Sequence, residues 1–253
     1  MATNLPRAIL DIKYEEAARE YARKLPLEHY MEAIAQSTQR QITVESLELI
    51  KSRRSDLHVF SELLVQYPLP RRRKPGQIVP DNMVVLSHDR IHATTSFNLP
   101  LETARPFWMM EYVSKNNKRK DYEQSFQKYE QELKVPYYLV FYPDDQDLSL
   151  FHMENDHYVS VKPNDVGRYA IPELDLELGL LDGWIRYWWK GELLPLPAEM
   201  HEALTAAVQK AREEKQRADA MQLRAEHDEQ TIRELQEKLA RLERRKNGSS
   251  GAE

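Results

Sequence analysis

The sequence predicts a mixed α/β (α+β) fold followed by a long charged helix, on three observations. Residues 14 to 54 carry apolar side chains at helical spacing. From Leu57 to Val161 the pattern shifts to short β-branched and aromatic runs separated by turn residues. After Pro197 there is no Gly or Pro until Gly248. These shifts set the expected organisation: a helical segment over 1–55, a main domain over 56–197, a charged helix over 198–246 and an irregular, disordered tail over 247–253.

In the first segment, Ala17, Ala18, Tyr21 and Leu25 predict a helix over Tyr14–Leu25, stopped by Pro26. Two further short helices are expected, Pro26–Ser37 and Val44–Arg54. Thr43 is the expected N-cap of the latter, and Glu45 lies in its first turn. The next runs read as strands: Leu57–Tyr67, Ile78-Val79, Met83–Leu86, Phe107–Val113 and the compact Tyr137–Tyr142. Pro68 to Gly76 is a loop by composition. Lys115–Lys134 is polar with a helical stripe and ends at Val135-Pro136. Asp144-Asp145 and Asn155-Asp156 turn the chain into Leu148–Met153 and Tyr158–Val161, a hairpin or meander. The cluster Trp184, Tyr187, Trp188, Trp189 reads as aromatic core under the sheet rather than as a base-stacking platform.

In the C-terminal helix, a heptad reading puts Leu204, Ala211, Ala218, Ala225, Ile232 and Leu239 at a. Met200, Ala207, Glu214, Met221, Asp228, Leu235 and Leu242 fall at d. Only the last two heptads form a clean apolar seam, because Glu214 and Asp228 interrupt the middle. The pattern fits a short coiled coil near the C-terminus, giving a homodimer; a solvated single helix is the alternative.

Composition excludes several functions. With 36 Lys and Arg against 41 Asp and Glu, the net charge of −5 excludes a basic nucleic-acid coat but not a local basic cleft. There is no cysteine, which removes disulfides, thiolate nucleophiles, Cys-bound zinc and iron–sulfur clusters. Only 7 glycines are present and none forms a phosphate-cradling loop, so nucleotide cofactors are not expected. No signal peptide or membrane span is read, and with the absence of Cys the expected compartment is the cytoplasm.

The chemistry concentrates between Pro80 and Tyr142. Asp81 opens one strand-like run and Glu111 ends another. A carboxylate beside buried strands is costly unless it is paired or binds a cation. Two such acids, without Cys or a His pair, suit a hard divalent ion, Mg²⁺ or Mn²⁺. On spacing alone the plainer reading is favoured, with Asp81 capping a turn and Glu111 an ordinary strand-end acid. Glu62 is a possible outer metal ligand, though a lone acid there also reads as solvent-facing. Arg71, Arg72, Arg73 and Lys74, and later Lys115, Lys118, Arg119 and Lys120, are basic clusters suited to DNA phosphates or simply to solvent. His58, His88 and His92 form no convincing ligand set.

Several motifs occur in one order: Pro80-Asp81-Asn82-Met83-Val84-Val85, Glu111-Tyr112-Val113-Ser114, Lys120-Asp121-Tyr122, Lys128-Tyr129, and Val135-Pro136-Tyr137-Tyr138-Leu139-Val140. Together they resemble the putative restriction endonuclease family of the PD-(D/E)XK nuclease superfamily, over roughly Asp56 to Pro197. Leu180-Leu181-Asp182-Gly183-Trp184 and Gly191-Glu192-Leu193-Leu194-Pro195 resemble that family's C-terminal extension. The resemblance implies a central mixed sheet flanked by helices, with Asp81 and Glu111 on adjacent strands as the metal ligands. It also implies metal-dependent cleavage of DNA phosphodiester bonds. Two positions depart from the pattern. The superfamily lysine two residues after the glutamate is Val113. The alternative family lysine, four residues after the helix-orienting Asp121, is Ser125. Lys128 lies on the same helical face one turn on and is the expected catalytic ammonium. The resemblance thus implies an endonuclease; the departures leave open a catalytically impaired nuclease-fold interaction protein acting through its C-terminal coiled coil.

Overall fold

A polar-looking segment supplies the helix that anchors the core. In the computed structural model, which describes residues 6–25, 34–70, 72–113 and 120–249 (120–122 and 242–249 in backbone only), α1 spans Arg7–Ala22 and α2 spans Ile34–Lys51. The buried positions of α2 include Gln39, Ile42, Thr43, Ser46, Leu47 and Ile50, an unbroken 3.6-residue stripe of which half is polar. Gln39 and Thr43 are satisfied by hydrogen bonds. The Gln39 amide donates to the Ile185 carbonyl at 3.2 Å and accepts from the Ile185 N–H at 2.8 Å. The Thr43 hydroxyl lies 2.7 Å from the hydroxyls of both Tyr112 and Tyr187. Thr43 is therefore not the N-cap that its sequence context suggests. It sits mid-helix, because a buried hydroxyl network holds it there. The expected break between Ser37 and Val44 does not occur; residues 26–33 of the expected Pro26–Ser37 helix lie outside the described residues. The first helix also shifts from its expected bounds: it starts at Arg7 and ends at Ala22, ahead of Pro26.

In chain order the strands are β1 (Leu57–Ser61), β2 (Leu64–Tyr67), β3 (Gly76–Ile78), β4 (Asn82–Leu86), β5 (Ser96–Asn98), β6 (Pro106–Tyr112), β7 (Tyr137–Tyr142), β8 (Asp147–Glu154), β9 (His157–Ser160), β10 (Tyr169–Ile171), β11 (Leu176–Leu181), β12 (Trp184–Trp189) and β13 (Glu192–Leu193). Six form the main sheet, in the order β1-β4-β6-β7-β8-β9. Only its β6–β7 pair is parallel. The crossover that a parallel pair requires carries α3 (Lys120–Gln127) and a π-helical turn over Lys128–Leu133. The sheet is thus mixed and flanked by helices, as the sequence and its resemblance predict.

Side chains alternate between the two sheet faces. Val84, Trp108, Met110, Leu139 and Phe141 point toward α2 and the sheet β10-β11-β12-β13, where Tyr187 is fully buried. Met83, Val85, Met109, Tyr138 and Val140 point the other way, toward Tyr129, Leu133 and the small sheet β3-β2-β5. The run Leu57–Tyr67, a single stretch by composition, serves both sheets. It is broken at Glu62, whose φ of 50° turns the chain from β1 into β2. That corner lies against Asp81: the Glu62 N–H donates to the Asp81 carbonyl at 3.2 Å.

The chain falls into two units, residues 1–196 and 197–253. The second is a single helix, α4 (Pro197–Ser249), running through Asn247-Gly248-Ser249, where the sequence suggests an irregular tail; residues 250–253 lie outside the described residues. Its 53 residues extend about 80 Å at the α-helical rise. Leu204, Met221, Ile232, Leu235 and Leu239 are all exposed along it. Among the described residues no helix is long and apolar enough to cross a membrane.

Candidate active site

The β4–β6 ladder aligns the two acids. Asn82 pairs with Met110 in antiparallel register, so one step further along the ladder Asp81 faces Glu111. Directly opposed residues of an antiparallel pair project to the same face. By alternation that face is the one carrying Met83 and Met109.

Each carboxylate is held by a defined partner. The Tyr112 N–H donates to Asp81 Oδ2 at 2.6 Å, which fixes the aspartate against the end of β6. The Tyr129 hydroxyl donates to Glu111 Oε1 at 2.5 Å. Tyr129 is fully buried, and burial pushes its hydroxyl well above the ordinary tyrosine range; the charges of Glu111 and Asp81 add to the rise. It therefore stays a protonated donor throughout the physiological range. Tyr21 of α1 also feels Glu111. Burial raises its pKa first and the Glu111 charge second.

A cation completes the site. The buried Arg40 guanidinium of α2 places Nη1 2.6 Å from Glu62 Oε1 and 3.7 Å from Asp81 Oδ1. Glu62 also lines a cavity of about 450 Å³ beneath α1, together with Arg19, Tyr21, Val79, Thr94 and Thr95.

Val113 packs its side chain on the apolar cluster around Tyr129, and its N–H donates to the Phe141 carbonyl at 2.8 Å. Lys128 opens the π-helical turn and donates from Nζ to the Gln77 carbonyl at 3.1 Å, on the strand leading toward Asp81. On the helix face that Ser125 begins, the residue four positions on is Tyr129, and its hydroxyl is the group that meets Glu111. Sequence reasoning named the Lys128-Tyr129 pair but gave the tyrosine no role. Arg40 was missed altogether, since it lies far from Asp81 in sequence and follows no spacing rule.

Of the basic residues, Arg72, Arg73 and Lys74 are exposed, and Lys74 pairs with Glu20 of α1 at 2.7 Å. Arg71, Lys115, Lys118 and Arg119 lie outside the described residues, and Lys120 and Asp121 are described in backbone only, at the start of α3.

The donor set fits a hard divalent ion in one form. Among the described residues no three His, Asp or Glu side chains gather as a ready ligand group. Asp81 and Glu111 instead offer carboxylate oxygens from two adjacent strands. Such a pair suits Mg²⁺, which commonly binds one or two carboxylates and completes its shell with water and substrate phosphate.

Comparison with known proteins agrees with the sequence resemblance. Residues 31–182 match the model of the Uma2 family, described as "Putative restriction endonuclease". The match begins ahead of residue 56 and so takes in α2. Among solved structures, the chain is similar to a crystal structure of a putative nuclease belonging to DUF820 from Anabaena variabilis. The two share 14% identity and a TM-score of 0.43, over 56% of this chain and 74% of that one. No curated protein matches. The family match spans more than half of the chain and contains Asp81, Glu111, Tyr129 and Arg40: the chain belongs to the Uma2 family of putative restriction endonucleases.

Proposed function

We propose that this protein is a metal-dependent endonuclease hydrolysing DNA phosphodiester bonds, acting in the cytoplasm. The observation that carries the reading is the register that sets Asp81 opposite Glu111 in a chain of this family. In this reading the two carboxylates hold Mg²⁺ or Mn²⁺. When bound, such an ion acidifies a water ligand and neutralises charge on the scissile phosphate. The Tyr112 N–H and the Tyr129 hydroxyl keep the carboxylates aimed, so little reorganisation is needed when substrate arrives. Arg71, Arg72, Arg73 and Lys74, with Lys115, Lys118 and Lys120, grip the DNA backbone. Asp121 orients the start of α3. The test is nicking of supercoiled plasmid by the full chain in Mg²⁺ or Mn²⁺, lost on chelation.

Lys128 is proposed as the ammonium that assists the attacking water, since its Nζ reaches the strand leading toward Asp81. Lys128→Ala should slow single-turnover cleavage about 10²-fold, the loss typical of one charge-stabilising group, with DNA affinity almost unchanged. Lys115→Ala should instead weaken binding and reduce its salt dependence by about one phosphate contact. The reverse pattern would place the catalytic ammonium elsewhere.

A second reading has its own support. Val113 and Ser125 stand where the family places lysine, and α4 exposes Ile232, Leu235 and Leu239. A nuclease-fold interaction protein pairing through this helix fits both features. A homodimer would also suit cleavage of two strands. Sedimentation of the full chain should show self-association at about micromolar concentration, weak because Glu214 and Asp228 occupy d positions. A chain ending at Leu196 should remain monomeric and folded. Equal monomer masses for the two would exclude pairing through α4.

A further inference from the structure

We propose that Arg40 is a resident cation of the acid site, making it a one-ion site by holding Glu62 away from the metal. This inference rests on the reading of Asp81 and Glu111 as metal ligands. Two carboxylates, Glu62 and Asp81, share one guanidinium at the corner where β1 turns into β2, and Glu111 faces Asp81 across the β4–β6 ladder. Arg40 holds Glu62 more closely than Asp81, with Nη1 2.6 Å from Glu62 Oε1 and 3.7 Å from Asp81 Oδ1.

The asymmetry of burial gives the pair its direction. The Arg40 side chain is 11% exposed and that of Glu62 54% exposed. The guanidinium is anchored in α2, within a stripe of buried side chains, while Glu62 sits at a left-handed corner open to solvent. A buried cation needs a close anion, and Glu62 supplies it. With Glu62 engaged by Arg40, the ligating pair is Asp81 and Glu111, and one or two carboxylates commonly hold a single such ion. Without Arg40, Glu62 would be released as a third oxygen donor beside Asp81, and the surplus charge would favour tighter binding or a second ion.

The experiment counts Mn²⁺ bound to the full chain, without DNA, by electron paramagnetic resonance. The wild type should bind one ion per chain. Arg40→Met, which keeps the apolar stem, should bind Mn²⁺ about tenfold more tightly or bind a second ion, because a nearby positive charge is removed. Adding Glu62→Gln to Arg40→Met should return affinity and count to the wild-type level, a reversal that simple loosening of α2 would not produce. Glu62→Gln alone should weaken Mn²⁺ binding, because Arg40 is then left to Asp81. Glu62 is exposed enough for this variant to fold even if Arg40→Met does not. Asp81→Asn should abolish binding in every background. Unchanged affinity in both single variants, or no Mn²⁺ bound by any of them, would overturn the proposal. DNA nicking is read separately. A chain that binds one Mn²⁺ under Arg40 control but cuts nothing would sink the nuclease reading and leave this one standing.

Discussion

Asp81→Asn and Glu111→Gln should each cut metal-dependent plasmid nicking by at least about 10³-fold, the scale expected when a charge-stabilising group at the reacting centre is lost. Both substitutions keep the shape of the side chain. Asp81→Asn retains an amide oxygen able to accept from the Tyr112 N–H, and Glu111→Gln retains one for the Tyr129 hydroxyl. Near-native melting temperatures are therefore expected, and loss of cleavage would report lost ligand charge rather than lost structure. Undiminished nicking by either variant would remove that residue from the site.

Leu47→Ala should be the most damaging single change in the helical segment. Leu47 is fully buried in α2, in one cluster with Trp108, Tyr112 and Tyr187. A Leu→Ala change at such a position costs about 2–5 kcal/mol. For a unit of this size that is a fall of roughly 4–20 °C in melting temperature. Tryptophan fluorescence is the suitable probe: all four tryptophans, Trp108, Trp184, Trp188 and Trp189, belong to the first unit, so α4 does not contribute. An unchanged melting temperature would mean that α2 does not close the core. By the same argument, a chain starting at residue 56 would expose the face of the main sheet that α2 covers.

What was legible in the sequence follows the physics of burial. Tyr137–Tyr142 and Phe107–Val113 are buried on both faces in the sheet interior and so read as near-continuous apolar runs. Asp81 and Glu111 stand out in the sequence because a carboxylate next to such a run is conspicuous. The continuity of α2 was not legible, because Gln39, Thr43 and Ser46 look solvent-facing to any hydropathy argument, and Gln39 and Thr43 are core residues only through their hydrogen bonds. Tyr129 escaped for a related reason: a buried tyrosine reads as packing until its hydroxyl is seen on Glu111. The third strand of the small sheet, β5, has three residues and lies among turn residues, too short for a periodic signal. The sheet β10-β11-β12-β13 was foreshadowed only by its aromatic cluster.

If Asp81 and Glu111 together form a divalent-cation site, the melting temperature of the full chain depends on Mn²⁺. An ion that binds only the native state stabilises it by mass action, by about 2.7 kcal/mol at a hundred times the dissociation constant. The wild type should melt several degrees higher in Mn²⁺, and Asp81→Asn and Glu111→Gln should each lose that rise, with their metal-free melting temperatures near the wild-type value. An equal rise in all three proteins, or none in the wild type, would exclude a cation site formed by Asp81 and Glu111.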